Sequence, residues 1–191
     1  MDIKNRLLLG KRAVRAMNFI TNGNFVNGTT GWDDSSATHS VSNNILTLTG
    51  NGSASYIRTS KDTEYKPPLN AKVFVRARMR CTNAVASNIY IMLRDEMSTV
   101  LGNVGGISSP VQNQWYVVSE FLTMPQLANN LRIYPYTTFV DSATQNGKIV
   151  ELQEVMCIDM TAHGLDSLTA DEMNSLFPVW FGGETTVLVV G

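Results

Sequence analysis

The chain has 191 residues, 43% of them hydrophobic and 16% charged, which suits one globular domain with an appendage better than two domains. Charge is below the roughly 25% usual for a soluble protein, and Asn, Thr and Ser carry the polarity instead, as on a turn-rich β surface. The net charge of −1 hides a basic start: residues 1–17 hold five basic residues and one acid, a net of +4 that leaves −5 for the remainder, so the body argues against a nucleic-acid binder.

In chain order, residues 1–17 (MDIKNRLLLGKRAVRAM) place apolar side chains at positions 3, 7, 8, 14 and 17, a partly helical spacing that Gly10 weakens. The segment reads either as a surface-packed terminus or as a docking arm carrying Lys4, Arg6, Leu7, Leu8, Lys11, Arg12 and Arg15. The Leu7-Leu8-Leu9 run is broken at once by Gly10-Lys11-Arg12, and no small-residue cleavage site follows it. No apolar run approaches the roughly 18 residues of a membrane helix. A chain kept in the cytoplasm, or assembled there into something larger, is expected.

Next comes NGNFVNGTTGWDDSSATHSV (residues 22–41), which sets Phe25 and Trp32 among Asn, Gly, Thr and Ser. A disordered linker has this composition. A linker would not lead into HSVSNNILTLTGNGSASYIRTS (residues 39–60), where short alternating strands are separated by Asn43-Asn44 and Gly50-Asn51-Gly52 turns. The stretch therefore reads as the first strand and loop of an all-β domain. KVFVRARMRC (residues 72–81) alternates cleanly, with Val73, Val75, Ala77, Met79 and Cys81 on one face and Lys72, Arg76, Arg78 and Arg80 on the other, Phe74 among them. SNIYIMLRD opposes Ile89, Ile91 and Leu93 to Tyr90, Met92 and Arg94. WYVVSEF opposes Trp115, Val117 and Phe121 to Tyr116 and Glu120, and LRIYPY opposes Leu131 and Ile133 to Arg132, Tyr134 and Tyr136. KIVELQEVMCIDM carries Val150, Leu152, Met156 and Ile158 on one side. About nine strands at this spacing predict a two-sheet antiparallel β-sandwich, a jelly roll, because each strand has one apolar face to bury.

The period changes in SLTADEMNSLFPVWFGG (residues 167–183). Thr169 with Glu172 is a capping box, Met173, Leu176 and Phe177 form a buried stripe, and Pro178 stops the one short C-terminal helix. TTVLVV (residues 185–190) is a final strand whose Val187, Leu188, Val189 and Val190 must join a sheet or pair with a neighbouring subunit.

Two motifs carry a resemblance. NGNFVNGTTGW, continued by NNILTLTGNG, resembles the opening of carbohydrate-binding-module-like, galactose-binding-domain-like jelly rolls, a pattern extending over residues 20–160. IDMTAHGLDSLTADEMNSLFPVWFGG (residues 158–183) resembles a tail segment of minor structural proteins of bacteriophages and prophages, with the shorter AHGLDS where many of those read Phe-Gly-x-Gly-Asn-Glu-Pro. With the basic start read as a docking arm (1–19), the chain divides into that arm, a sandwich that the resemblance makes carbohydrate-binding-module-like (20–160), and a C-terminal helix and strand (161–191). The resemblance makes Phe25 and Trp32 core rings closing one end of the sandwich. Related sandwiches hold a structural calcium with a carboxylate just after the Phe and an Asp in the last strand. Asp159 fits the second role, but Val26 stands at the first, so no cofactor is expected and Asp159 is the one metal candidate.

Catalytic motifs are missing. The two histidines, His39 and His163, fall in no HExxH, and there is no P-loop, nucleophile elbow or paired-Cys metal motif. GNVGG (residues 102–106) reads as a hairpin loop, and Cys81 and Cys157 as buried free thiols or one pair. Tyr90, Tyr116, Tyr134 and Tyr136 with Arg76, Arg78, Arg94 and Arg132 fall on the non-core side of their strands. They read as a glycan-binding face, a subunit contact or plain surface. The expectation is a non-enzymatic structural or accessory protein of a phage virion, in tail, baseplate, neck or capsid surface. It would assemble with other virion proteins as a homo-oligomer, a trimer by the resemblance. The alternative is a carbohydrate-binding module recognising a host-surface glycan through Tyr90, Arg94, Tyr116, Arg132, Tyr134 and Tyr136.

Overall fold

The computed structural model describes residues 11–83, 86–95 and 99–190. Twelve strands run in chain order: β1 (Lys11–Asn18), β2 (Asp33–Ser35), β3 (Ala37–Ser42), β4 (Ile45–Gly50), β5 (Tyr56–Asp62), β6 (Lys72–Cys81), β7 (Asn88–Asp95), β8 (Thr99–Ser108), β9 (Tyr116–Thr123), β10 (Leu131–Thr138), β11 (Ile149–Asp159) and β12 (Gly183–Val190). Among the described residues two short helices join them, α1 (Ser142–Gln145) and α2 (Ala170–Leu176). A seven-stranded sheet is ordered β12-β1-β11-β4-β3, with β6 on the other side of β11 and β9 beyond it; a five-stranded sheet is ordered β2-β5-β10-β7-β8. Every pairing is antiparallel. The chain is a two-sheet β-sandwich, as its alternation predicts.

The main core lies between the sheets. Val73, Val75, Ala77, Met79 and Cys81 of β6 meet Ile89, Ile91 and Leu93 of β7 and Leu131 and Ile133 of β10 there. Phe25 and Trp32 join it with ring centroids 5.1 Å apart, and the Trp32 indole N–H donates to the Asn22 carbonyl at 3.1 Å. Their polar loop thus folds over two core rings. Both cysteines are free and buried in this core, and burial pushes the Cys81 thiol up to about 11.

A second apolar cluster lies on the outer face of the seven-stranded sheet. Phe74, Met156 and Ile158 are covered there by Met173 and Phe177 at α2 and by Val14, Ala16 and Val189. It exists because β11 changes phase. Gln153 pairs with Arg78 but Met156 pairs with Arg76, a β-bulge in which Glu154 takes φ 54°. Before the bulge Val150 and Leu152 face the main core, and after it Val155 and Cys157 do, while Met156 and Ile158 turn outward. The single apolar side expected for this strand is therefore two, because one inserted residue flips everything after it.

Three other expectations are corrected. The basic segment does not stand apart over its described part: residues 11–18 form β1, paired along its length with β12 and meeting β11 at Asn18, with Val14 and Ala16 buried. Pairing with β12 overrides the weak helical spacing, and the sheet runs across the boundaries expected at 19 and 160. In β9 the phase is reversed, with Tyr116, Val118 and Leu122 on the core side and Val117 exposed; both phases of this strand are apolar, so alternation alone did not choose. Finally, the glycines at 102–106 lie inside β8 rather than in a hairpin loop. A Cβ on Gly105 would come within 2.7 Å of the Ser119 backbone nitrogen, so glycine is what lets β8 approach β9.

Two outcomes follow. In α2 the Glu172 N–H donates to Thr169 Oγ1 at 3.3 Å, and the Thr169 N–H donates to the Glu172 carboxylate at 2.8 Å. Thr169→Ala removes this cap and is expected to lower unfolding free energy by about 1 kcal/mol in urea titration. At the bulge the Val155 N–H donates to the Gly23 carbonyl at 2.9 Å, and a Cβ on Gly23 would overlap the Val155 carbonyl oxygen and reach 2.6 Å from Trp180 Nε1. Gly23→Ala is expected to cost ~1–3 kcal/mol as overpacking. That exceeds the ~0.4–1 kcal/mol gained from a stiffer unfolded chain, so a raised melting temperature would refute the packing account.

Candidate functional site

The outer face of the five-stranded sheet is set by simple alternation. Ile89, Ile91 and Leu93 of β7 turn into the core, so Tyr90, Met92 and Arg94 turn out; Leu131 and Ile133 of β10 do the same for Arg132, Tyr134 and Tyr136. In β5 the buried Ile57 and Thr59 leave Tyr56 and Arg58 on the outer side. Register then fixes neighbours. Tyr136 lies opposite Tyr90 on one side and Arg58 on the other, and Arg132 lies opposite Arg94 and Asp62.

Two rings organise this face. Tyr136 stacks on Tyr90 at 5.1 Å with 17° between the planes and leans on Tyr56 at 5.0 Å. Tyr134 is ringed by guanidinium groups, with Arg58, Arg94 and Arg132 at 5.2, 5.6 and 5.8 Å from its centroid. Cation–π attraction holds such groups over the ring. Although both rings point outward, Tyr134 is 7% and Tyr136 9% exposed, because their neighbours cover them. They form a floor. Tyr56, Tyr90 and the three arginines are the half-exposed layer above it. Burial pushes the Tyr136 phenol up to about 12, with Tyr90 and Tyr56 adding, and burial raises Tyr90 too. Hydrogen bonds with Ser36 and then Ser35 hold Tyr56 below its usual value. Arg132 pairs with the exposed carboxylate of Asp33. Flat aromatic surface beside fixed donors is what a pyranose ring and its substituents need.

Of the residues expected to bind glycan, Tyr90, Arg94, Arg132, Tyr134 and Tyr136 come together here. Tyr116 does not. It lies in β9 of the other sheet, packs against the main core, and its hydroxyl accepts from the Val111 N–H at 2.8 Å. Arg76 and Arg78 also lie on the other sheet. Arg76 is buried beside Glu154 at 3.3 Å and donates to the Pro178 carbonyl, while Arg78 and Arg80 sit over Trp115. Tyr56, Arg58 and Asp33 were missed, although the alternation Tyr56-Ile57-Arg58-Thr59 carries the signal for the first two.

Of the expected assembly residues, Lys4, Arg6, Leu7 and Leu8 lie outside the described residues. Lys11 and Val190 form the last register pair of β1 and β12, Arg12 donates to the Gly164 carbonyl, and Arg15 lies 3.8 Å from Glu184 on the surface. Val187 and Val189 pack into the outer cluster, while Leu188 is exposed. Asp159 is fully buried; it accepts from the Tyr65 hydroxyl at 2.6 Å and the Ala162 N–H at 2.9 Å, and Val26 is exposed. Among the described residues no three His, Cys, Asp or Glu side chains come together to hold a metal ion.

No family model matches the chain, and no curated protein matches it. Among solved structures, the N-terminal CBM22-1–CBM22-2 tandem domain of Paenibacillus barcinonensis Xyn10C gives a TM-score of 0.60 at 12% identity, covering 75% of this chain and 50% of that one. A "Family 16 Carbohydrate Binding Module-2" gives 0.51 at 13%, covering 73% and 99%. The enzymatically active domain of bacteriophage CBA120 tailspike protein 4 gives 0.51 at 16%, covering 73% and 21%. At these identities the likeness is one of fold: the chain shares the jelly-roll β-sandwich of carbohydrate-binding modules.

Proposed function

We propose that the protein is a non-enzymatic carbohydrate-binding module whose site is the outer face of the five-stranded sheet. The observation that carries this reading is the Tyr56–Tyr136–Tyr90 row, three rings in contact across adjacent strands and flanked by guanidiniums. Its outer members, Tyr56 and Tyr90, are the stacking surfaces, and the floor rings hold them in place. The fold shared with carbohydrate-binding modules supports the same reading. A glycan array followed by calorimetry on the best ligand tests it. Tyr90→Ala is expected to weaken binding at least tenfold, about 1.4 kcal/mol, with its melting transition retained. Unchanged affinity in that variant would remove Tyr90 and this face from the site.

A second reading is favoured by the terminal strand. Among the described residues β12 pairs only with β1, which leaves its other edge open. Leu188 is 59% exposed beside a cavity of about 240 Å³ lined by Leu168, Leu176, Leu188 and Val189, with Glu172 and Ser175 at its polar side. An open apolar edge is a template for another chain. In this reading β12 joins copies of the protein into a homo-oligomer, with a phage virion as the setting and a host-surface glycan on the Tyr/Arg face. Light scattering is expected to give an oligomer that Leu188→Lys converts to monomer. A wild-type monomer at all concentrations would dismiss it.

A further inference from the structure

The five-stranded sheet gathers three guanidiniums around one buried ring, and their surroundings are unusual. Arg94 and Arg132 stand directly opposite each other in the β7–β10 ladder. Like charges in that position destabilise a sheet. Asp62 of the neighbouring β5 lies opposite Arg132, and Asp33 reaches Arg132 from β2, one strand further out. Asp62 accepts the Glu64 N–H at 2.8 Å. Arg58 has no carboxylate within salt-bridge distance among the described residues and lies only over Tyr56 and Tyr134. Arg132 Nε is buried and makes no hydrogen bond.

A guanidinium donates and never accepts. A neutral sugar hydroxyl that accepts from it must still place its own proton on an acceptor, and beside Arg58 no carboxylate of the described residues stands within salt-bridge distance to take it. A carboxylate or sulfate only accepts, and it suits the planar two-pronged donor of arginine. We infer that the face takes an acidic saccharide, its anionic group on Arg58 and Arg132 and its ring against Tyr90 or Tyr56. This rests on the carbohydrate-binding reading of the same face and names its ligand class.

The test is an array of matched neutral, carboxylated and sulfated glycans probed with the full chain, then calorimetry on the best ligand. Acidic glycans are expected to bind, with affinity falling as salt rises. Arg58→Gln is expected to weaken binding at least tenfold with its melting transition retained, since that side chain has no carboxylate partner to lose. Tyr90→Ala is expected to weaken it as well, which separates a built site from general charge attraction. The carboxyl-reduced and desulfated forms of the bound glycan then distinguish the two sources of charge. Binding confined to neutral glycans, or acidic binding unchanged in both Arg58→Gln and Arg58→Gln/Arg132→Gln, overturns this inference and leaves the carbohydrate-binding reading standing. Binding to no glycan overturns both.

Discussion

The bulge at Glu154–Val155 is the constraint on which the architecture depends. β11 has to serve two cores, one between the sheets and one beneath the C-terminal segment. A regular strand would keep one parity throughout. The extra residue lets Val150, Leu152, Val155 and Cys157 stay inside while Met156 and Ile158 turn out under α2. Asn18 pins the switch. Its side-chain oxygen accepts the Ile20 and Cys157 N–H groups, each at 3.0 Å, and its amide donates to the Phe181 carbonyl at 2.8 Å. One buried amide therefore ties β1, β11 and the approach to β12 together. Arg76 completes the site from β6, meeting Glu154 of the bulge and the Pro178 carbonyl just past α2. A buried guanidinium left unpaired would be costly, so the bulge, the helix stop and β6 depend on one another.

The Tyr/Arg face is the opposite kind of construction. It needs no irregularity, only three neighbouring strands in register with their apolar sides facing in. The same Ile and Leu side chains that make the core fix which way the tyrosines point. Tyr134 and Tyr136 are aromatic but nearly covered, so they support the surface from beneath. The surface that solvent meets lies one layer above, at Tyr56, Tyr90 and the arginines.

This contrast explains how far the sequence could be read. The β6 run, with small apolar side chains at every second position and charges between them, admits one phase, and the structure has it. Thr169 with Glu172 marks the helix start by local chemistry alone. β9 was misread because Val117 and Phe121 compete with Val118 and Leu122, and only the facing sheet decides. Tyr116 left the candidate site for that reason. The bulge in β11 has no local signature, since Glu154 is not a glycine although its φ is 54°. β1 is a strand because β12 lies beside it, a partner more than 160 residues away along the chain. Five of the six residues expected to bind glycan share one face because β7 and β10 alternate as cleanly as β6. Tyr56 and Arg58 are equally legible, in the alternation that opens β5.

The pairing of β1 with β12 also has a mechanical side. The strands are antiparallel, and Lys11 faces Val190, so these two residues lie together at one end of the ladder. A load applied between those two residues would pull across the ladder and part its hydrogen bonds one after another, like a zipper, rather than shearing them together. Val14, Ala16 and Val189 would be the first side chains drawn out of the outer cluster. The core between the sheets, and the Tyr/Arg face on the far sheet, belong to strands that such a load does not reach first. A tether at this end of the ladder would fray before the far face was deformed.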